Sequence, residues 1–353
     1  MYAGWRKPSP VYIYNIMEPQ WNNSEPEKKE FIMSILITGG TGFIGTHVAR
    51  LKLEEGEKDV AVFDINPSLK LLDDIADRVS LIRGDLGNFS HVLNAVKTCR
   101  PETIFHLGGM LSVPSDADPA AAFKANAMGT YHVLEAARLF GVPKVIFTST
   151  IGTYGLDLEE GSTITDYSLQ RPQLFYGTTK VFCELMGQFY RRKYGLDFRG
   201  VRLPSIVGPG VKTPGVVQYT SWMIEESLKG NPYTVYVSPE TRTPIMYFKD
   251  AALAVIKLAE TPRENIKMVV YLVAGAKPVA SAQELAEIVK AKIPGARINF
   301  KPDMELQQIL NKLLHPVDDS VAQREWGWKA KYDQEKIVDD FISEMKNNPQ
   351  RYE

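Results

Sequence analysis

The stretch from Met33 to Ala49, Met-Ser-Ile-Leu-Ile-Thr-Gly-Gly-Thr-Gly-Phe-Ile-Gly-Thr-His-Val-Ala, limits what this chain can fold into more than any other. Ile35, Leu36 and Ile37 form a short apolar run, as in a strand covered on both faces. Gly39, Gly42 and Gly45 follow, and Phe43, Ile44, Val48 and Leu51 then recur at helical spacing. Strand, glycine-rich turn and helix make the first half of a nucleotide-binding βαβ unit. In that unit Gly39 permits the tight turn, Gly42 lets the backbone approach a pyrophosphate, and Gly45 lets the helix pack close to the strand. The helix N-terminus, beginning at Phe43 and Ile44, offers N–H groups and the positive end of its dipole to phosphate. A second apolar run, Val60 to Phe63, ends in Asp64, about 20 residues beyond the glycines. A carboxylate there accepts hydrogen bonds from the adenosine ribose hydroxyls and repels a 2′-phosphate, so the pattern points to NAD rather than NADP.

The alternation continues. Strands are predicted over 79–82, 103–107, 144–150 and 197–202, with helices over 89–99, 119–140 and 175–194 between them. Strands alternating with helices imply an α/β fold, a doubly wound parallel sheet covered on both faces with right-handed crossovers. Beyond Pro204 the pattern loosens into a long Pro- and Gly-rich loop, then helices near 217–229, 251–259, 281–292 and 334–346. Ser281 with Glu284 is a capping-box pattern. The expected organisation is an arm over 1–32, a nucleotide-binding domain over 33–203, and a smaller, mixed substrate-binding region over 204–353. The segment 268–274 reads as a core strand, so part of that last region returns to the first sheet.

Composition excludes several classes. The net charge is −1 with no basic stripe, which argues against nucleic acid as a partner. No apolar run approaches a membrane span. Cys99 and Cys183 make no disulfide framework, and no Cys/His cluster has metal spacing, so no metal is expected and a reducing, cytoplasmic setting fits. The first 32 residues carry Tyr2, Trp5, Tyr12, Tyr14 and Trp21 among prolines. They read either as a disordered arm or as one that packs its aromatics on the body or on a neighbouring subunit.

The chemistry concentrates at Thr150, which ends a strand, and at Tyr176-Gly-Thr-Thr-Lys180. A helix puts Tyr176 and Lys180 on one face. A phenol titrates near pH 10 in a free peptide, and an ammonium one turn away together with an oxidised nicotinamide ring favours the phenolate, which suits a general base. Thr150 can then orient a substrate hydroxyl, and Lys180 can also bond the ribose next to a nicotinamide. His106 reads as the satisfied end of a strand, His47 as helix surface, Trp326 and Trp328 as packing, and Cys183 as inert core.

In combination, Thr38-Gly-Gly-Thr-Gly-Phe-Ile-Gly45, Gly84-Asp85-Leu86, His106-Leu-Gly-Gly109, Ser149-Thr-Ile-Gly-Thr-Tyr-Gly155 and Tyr176-Gly-Thr-Thr-Lys180 resemble the motifs of the extended short-chain dehydrogenase/reductases, the NAD-dependent epimerase/dehydratase family. The resemblance implies that Asp85 and Leu86 line the adenine, and that Leu107, Gly108 and Gly109 border the pyrophosphate and ribose. It implies that Leu203, Pro204 and Ile206 border the nicotinamide, with Thr150, Tyr176 and Lys180 as the catalytic group. It also implies a homodimer built on a four-helix interface from about 120–140 and 175–194 of each subunit, with Tyr131, Glu135 and Arg138 at that face.

Within this family the chain is similar to the short-chain type of threonine dehydrogenase, through Gln170-Arg-Pro172, Glu184-Leu-Met-Gly-Gln-Phe-Tyr190, Thr241-Arg-Thr-Pro-Ile-Met-Tyr247 and Trp326-Gly-Trp328. The implied activity is NAD-dependent interconversion of a secondary alcohol and a ketone on a small substrate, threonine or another β-hydroxy acid. The departures fall where substrate would sit. Gly215-Val-Val-Gln-Tyr219 stands where those enzymes carry Gly-Thr-Thr-Asp-Tyr, and Ser112 follows a loop without their Gly-Glu pair. Ser112, Val216, Val217 and Arg242 are the further candidates for substrate contact. Arg242 either meets a substrate carboxylate, serves a sugar-nucleotide diphosphate, or pairs with Asp250 or Glu240. Two alternatives stay open: a nucleotide-sugar epimerase with tightly held NAD, and a catalytically silent NAD-binding regulator.

Overall fold

Ile35, Leu36 and Ile37 are all buried because the strand they form is the middle of a sheet with helices on both faces. The computed structural model describes residues 34–352; the aromatic arm expected over 1–32 lies outside the described residues. The strands are β1 (Ser34–Thr38), β2 (Asp59–Asp64), β3 (Val79–Arg83), β4 (Thr103–His106), β5 (Lys144–Thr150), β6 (Asp197–Leu203), β7 (Ser205–Val207), β8 (Tyr233–Val235), β9 (Ile245–Tyr247), β10 (Val270–Leu272) and β11 (Ile298–Phe300). The helices are α1 (Phe43–Glu54), α2 (Phe89–Cys99), α3 (Ser112–Ala117), α4 (Pro119–Ala122), α5 (Gly129–Phe140), α6 (Phe175–Tyr194), α7 (Tyr219–Leu228), α8 (Phe248–Glu260), α9 (Ala282–Lys292), α10 (Met304–Leu313), α11 (Ser320–Trp326), α12 (Gln334–Asn347) and α13 (Pro349–Tyr352).

Seven strands form the main sheet in the order β3-β2-β1-β4-β5-β6-β10, every pair parallel. The chain winds outward from β1 to β3 and restarts on the other side at β4. The loops leaving β1 and β4 therefore diverge and open a crevice at the carboxyl edge, where doubly wound sheets hold ligands. One face is covered by α1, α8 and α11, through Val48, Ala251, Val255 and Trp326. The other is covered by α2, α5 and α6, through Val92, Val96, Val133, Leu134 and Cys183. Strand β10 pairs with β6, placing Val270 beside Gly200 and Leu272 beside Arg202.

A second core gathers under the crevice's far side, built on the two-strand pairs β7–β9 and β8–β11 with α7, α9 and α12. These three-residue strands are too short to show alternation, so the sequence pattern there reads as loop. Helix α9 carries the expected capping box, Ser281 Oγ accepting from Glu284 N at 3.1 Å and Glu284 returning to Ser281 N at 2.7 Å.

Two expectations change. The helix over 119–140 is interrupted by a π-helical turn at Phe123–Met128, a local unwinding that frequently marks functional sites. His47 is half-buried rather than on the surface, its ring edge against Phe248 at 5.3 Å. The tryptophans pack as expected, and Trp328 Nε1 also donates to Ala274 O at 3.0 Å.

Candidate active site

The turn from β1 into α1 is seated directly on the loop after β4. Gly39 has φ of 66°, and a Cβ placed on it would lie 2.7 Å from Gly108 Cα. A Cβ on Gly45 would lie 2.4 Å from Gly39 O, so α1 starts in contact with the turn itself. Gly42 is the N-cap of α1 and contributes no side-chain cap, leaving the first N–H groups, those of Phe43 and Ile44 among them, without an intrahelical partner. Asp64, at the end of β2, accepts from Thr41 N at 3.3 Å, which brings a carboxylate to the same crevice. Leu86 reaches the loop from the other side, its Cδ1 2.9 Å from where a Gly108 Cβ would be. Asp85 accepts from Gly87 N at 2.8 Å. Uncapped N–H groups suit a pyrophosphate and a carboxylate suits ribose hydroxyls, so these residues fit a dinucleotide.

His106, at the end of β4, is buried with both ring nitrogens engaged: Nδ1 with Thr38 Oγ1 at 2.7 Å and Nε2 with Thr130 Oγ1 at 3.0 Å. It is a structural tie that joins the ends of β1 and β4 to α5. Burial, aided by the nearby Lys180 charge, lowers its pKa from 6.5 to about 3. The unfolded chain therefore takes up a proton that the folded protein refuses, and stability present above pH 6.5 is lost as pH falls. His47, lowered to about 4 chiefly by burial, acts in the same direction. Replacing His106 with Asn is expected to flatten the decline of Tm with falling pH below 6.5, read by thermal melts across a pH series.

Thr150 ends β5, and its Oγ1 accepts from Gly152 N at 3.0 Å, closing the short turn that follows the strand. Helix α6 begins on this turn. Its first N–H, on Phe175, is capped by Asp116 Oδ1 of α3 at 2.8 Å. Ser112, half-buried, opens that same short helix. Tyr176 and Lys180 lie on one face of α6, with the Lys180 ammonium 5.7 Å from the Tyr176 ring centre and 4.6 Å from that of Phe147. Lys180 Nζ donates to Thr148 O at 2.8 Å, and lies 3.8 Å from where a Gly109 Cβ would be. The Tyr–Lys pair is thus brought to the nucleotide crevice.

The expected phenolate calls on both Lys180 and an oxidised nicotinamide ring, and the protein's own groups do not supply it. Burial raises the Tyr176 phenol above its ordinary value, and burial lowers Lys180. With burial raising the phenol and no cofactor charge beside it, the protein alone keeps the phenol protonated.

Leu203 pairs with Thr150 in the β5–β6 register, Pro204 is buried, and Ile206 lies in β7 opposite Met246. Val216 and Val217 are half-buried and pack against the second core. Arg242 departs from the reading as a substrate contact. It is exposed, forks onto Glu284 at 2.9 and 3.1 Å, and donates to Val279 O at 2.6 Å. Neither Asp250 nor Glu240 is its partner; the Asp250 carboxylate instead takes the N–H groups of Lys331 and Tyr332.

Sequence reasoning missed Asn126. In the π-helical turn its Oδ1 accepts from Met110 N at 2.7 Å, while its Nδ2 donates to Met110 O and Thr179 Oγ1, each at 3.1 Å. It pins the loop after Gly109 to α6, one residue before Lys180. No sequence signal marks it, since its burial and its partners are tertiary. Cys183, also on α6, is buried and donates to Asn126 O at 3.4 Å, and burial raises its thiol. No group of His, Cys, Asp and Glu among the described residues is arranged to hold a metal.

A family model described as NAD dependent epimerase/dehydratase family matches residues 35–274. The mitochondrial L-threonine 3-dehydrogenase of Bos taurus is 30% identical over 311 residues, covering 88% of this chain and 82% of the bovine protein. Among solved structures, L-threonine 3-dehydrogenase from Trypanosoma brucei superposes with a TM-score of 0.80 at 30% identity, covering 89% of this chain and 97% of that one. The Thermus thermophilus UDP-glucose 4-epimerase complex with NAD gives a TM-score of 0.75 at 26% identity, covering 88% and 99%.

Proposed function

This chain belongs to the NAD dependent epimerase/dehydratase family, and from that premise we propose that it is an NAD-dependent oxidoreductase interconverting a secondary alcohol and a ketone on a small substrate, threonine or another β-hydroxy acid. The observation that carries the reading is the placement of Tyr176 and Lys180 on one helical face, with Lys180 Nζ 2.8 Å from the carbonyl of Thr148 in the strand that ends at Thr150. We take residues 33–203 as the nucleotide-binding domain and 204–353 as mainly substrate-binding.

Bound in the crevice, NAD supplies the hydride acceptor. Gly39, Gly42, Gly45, Phe43 and Ile44 would hold its pyrophosphate, and Asp64 its adenosine ribose, with Asp85, Leu86, Leu107, Gly108 and Gly109 around them and Leu203, Pro204 and Ile206 at the far end. Thr150 Oγ1 orients the substrate hydroxyl. With the oxidised nicotinamide ring beside it, Tyr176 would act as the phenolate: its Oη takes the hydroxyl proton as the carbon–hydrogen bond breaks, so the alcohol loses a proton and a hydride and becomes the ketone. Lys180 offsets the phenolate charge before the transfer. Ser112, Val216 and Val217 border the substrate.

The test is a spectrophotometric assay of purified protein with L-threonine and with simple 3-hydroxy acids. NADH formation is expected. NADP reduction is expected to be slower by about tenfold or more, equivalent to at least about 1.4 kcal/mol of repulsion between Asp64 and a 2′-phosphate. No turnover with any of these alcohols would overturn the reading. The nucleotide-sugar alternative is weakened by Arg242, whose guanidinium is committed to Glu284.

The proposed partner is a second copy of this chain. Tyr131, Leu139 and Phe140 of α5 and Phe182, Leu185 and Phe189 of α6 are all exposed, and a patch of that kind on two adjacent helices suits a four-helix, two-fold interface. Sedimentation is expected to give a dimer, and Leu185→Glu a monomer. No helix among the described residues is long and apolar enough to cross a membrane, and the setting we propose is a reducing, cytoplasmic one.

A further inference from the structure

One turn beyond Lys180 on the same face of α6 lies Glu184, fully buried and assigned no part in the reaction above. Its Oε1 accepts from Ser149 Oγ at 2.5 Å, the residue beside Thr150. Its other partners are Gln170 Nε2 at 2.9 Å and Arg202, which reaches it through Nη2 at 2.7 Å and Nε at 3.1 and 3.2 Å. Arg202 lies on β6, and its Nη1 donates to the Tyr154 hydroxyl at 2.9 Å. Tyr154 ends the turn that Thr150 begins. Gln170 lies in the loop that leads back from that turn to α6. All five side chains that meet at this point therefore belong to segments that border Thr150 or Tyr176.

The geometry is a ladder. Tyr176, Lys180 and Glu184 follow one another at one-turn spacing. Lys180 grips the strand at Thr148 O, and Glu184 grips it at Ser149 Oγ. Two contacts on two successive strand residues leave α6 one rotation and one height against β5, and Tyr176 lies one turn before Lys180 on the same helical face. We propose that Glu184 is a positioning residue, which through Ser149 sets the register of α6 on β5 and with it the placement of Tyr176 against Thr150. This rests on the oxidoreductase reading for its catalytic consequence, but not for the register itself.

The buried charges explain why a mild variant can be tested. Arg202 stands between two carboxylates, Glu184 and Asp166, whose Oδ1 is 3.7 Å from Nη1. Asp166 Oδ2 has no hydrogen-bond partner. In Glu184→Gln the guanidinium keeps a counter-charge by turning to Asp166, so the core is not left with an unpaired cation. Ser149→Ala removes the same rung from the other side and leaves the Glu184–Arg202 pair in place.

Both variants are measured beside wild type for kcat, for KM of NAD, for Tm, and for hydrogen exchange of the amides of residues 151–154. Each is expected to lower kcat by about tenfold to a hundredfold, the scale of a misplacement on the order of 1 Å. KM for NAD should change by less than about threefold, as for a contact used only in the chemical step. Exchange at Gly152 and Tyr154 should quicken in both, and the double variant should lose little more kcat than either single one. Wild-type kcat in Ser149→Ala, or loss confined to Tm, would overturn the proposal, as would unchanged exchange. A wild-type protein silent toward every alcohol would overturn the functional reading and the catalytic consequence, while faster exchange in both variants would still uphold the register.

Discussion

Tyr176→Phe is expected to lower kcat by about a hundredfold to ten-thousandfold, the usual contribution of a positioned proton-transfer group, with NAD binding by calorimetry unchanged. The substitution removes one oxygen and keeps the ring, so the Lys180 contact with the ring and the start of α6 survive. Because burial holds the phenol above its ordinary value, it can accept a proton only after ionising, which the positive charge of an oxidised nicotinamide ring beside Lys180 would favour. The rate of wild type should therefore climb with pH through neutrality, and the Phe variant should lose that climb along with its rate. A residual activity with unaltered pH dependence would assign the base to another group. Retained cellular function in the Phe variant would favour a silent cofactor binder over an enzyme, because a binder needs no proton acceptor.

What the sequence disclosed and what it hid divide along contact range. The β1 turn, Asp64, and the Tyr176–Lys180 pair are legible because each rests on local spacing: a turn, the next strand's end, and one helical step. Thr150 is legible as a strand end. The partners of Arg242 are not, since Glu284 is brought to it only by the pairing of Arg242 with Ser281 at the N-cap of α9. Asn126 is hidden for a different reason. The apolar periodicity of 119–140 continues through it, and only the tertiary fold shows that the helix loosens there to serve Met110 and Thr179. The resting state of Tyr176 is not legible either, because spacing reports that an ammonium is near but not that burial raises the phenol. Glu184 is hidden likewise, since its partners Ser149 and Arg202 come from two strands distant in sequence from α6.

Gly177→Ala is where local rules and tertiary contact give opposite signs. Within a helix, replacing glycine with alanine ordinarily stabilises by about 0.5–1 kcal/mol, and Gly177 lies in the first turn of α6 with no positive φ to protect. The structure reverses the sign. A Cβ there would lie 2.1 Å from Gly152 O and 2.6 Å from Pro172 Cβ. The first obstacle is a backbone carbonyl inside the turn that Thr150 begins, held by the Gly152 N to Thr150 Oγ1 bond. It cannot rotate aside as a flexible side chain can, so α6 must lift from the turn by on the order of 1 Å. Overpacking of this kind costs about 1–3 kcal/mol, which exceeds the helix-propensity gain, so Tm is expected to fall. The kinetic loss should be larger than the stability loss suggests. The lift separates Tyr176 from Thr150 at the neighbouring residue, and a displacement of that size costs about a hundredfold in rate, with NAD affinity little changed because the glycine-rich turn is on another strand. Thr178→Ala, at an exposed position on the same turn of helix, is the control and should match wild type in both measurements. If Gly177→Ala melts higher than wild type and turns over normally, α6 does not press on the Thr150 turn, and the close seating that brings Tyr176 to its substrate is wrong.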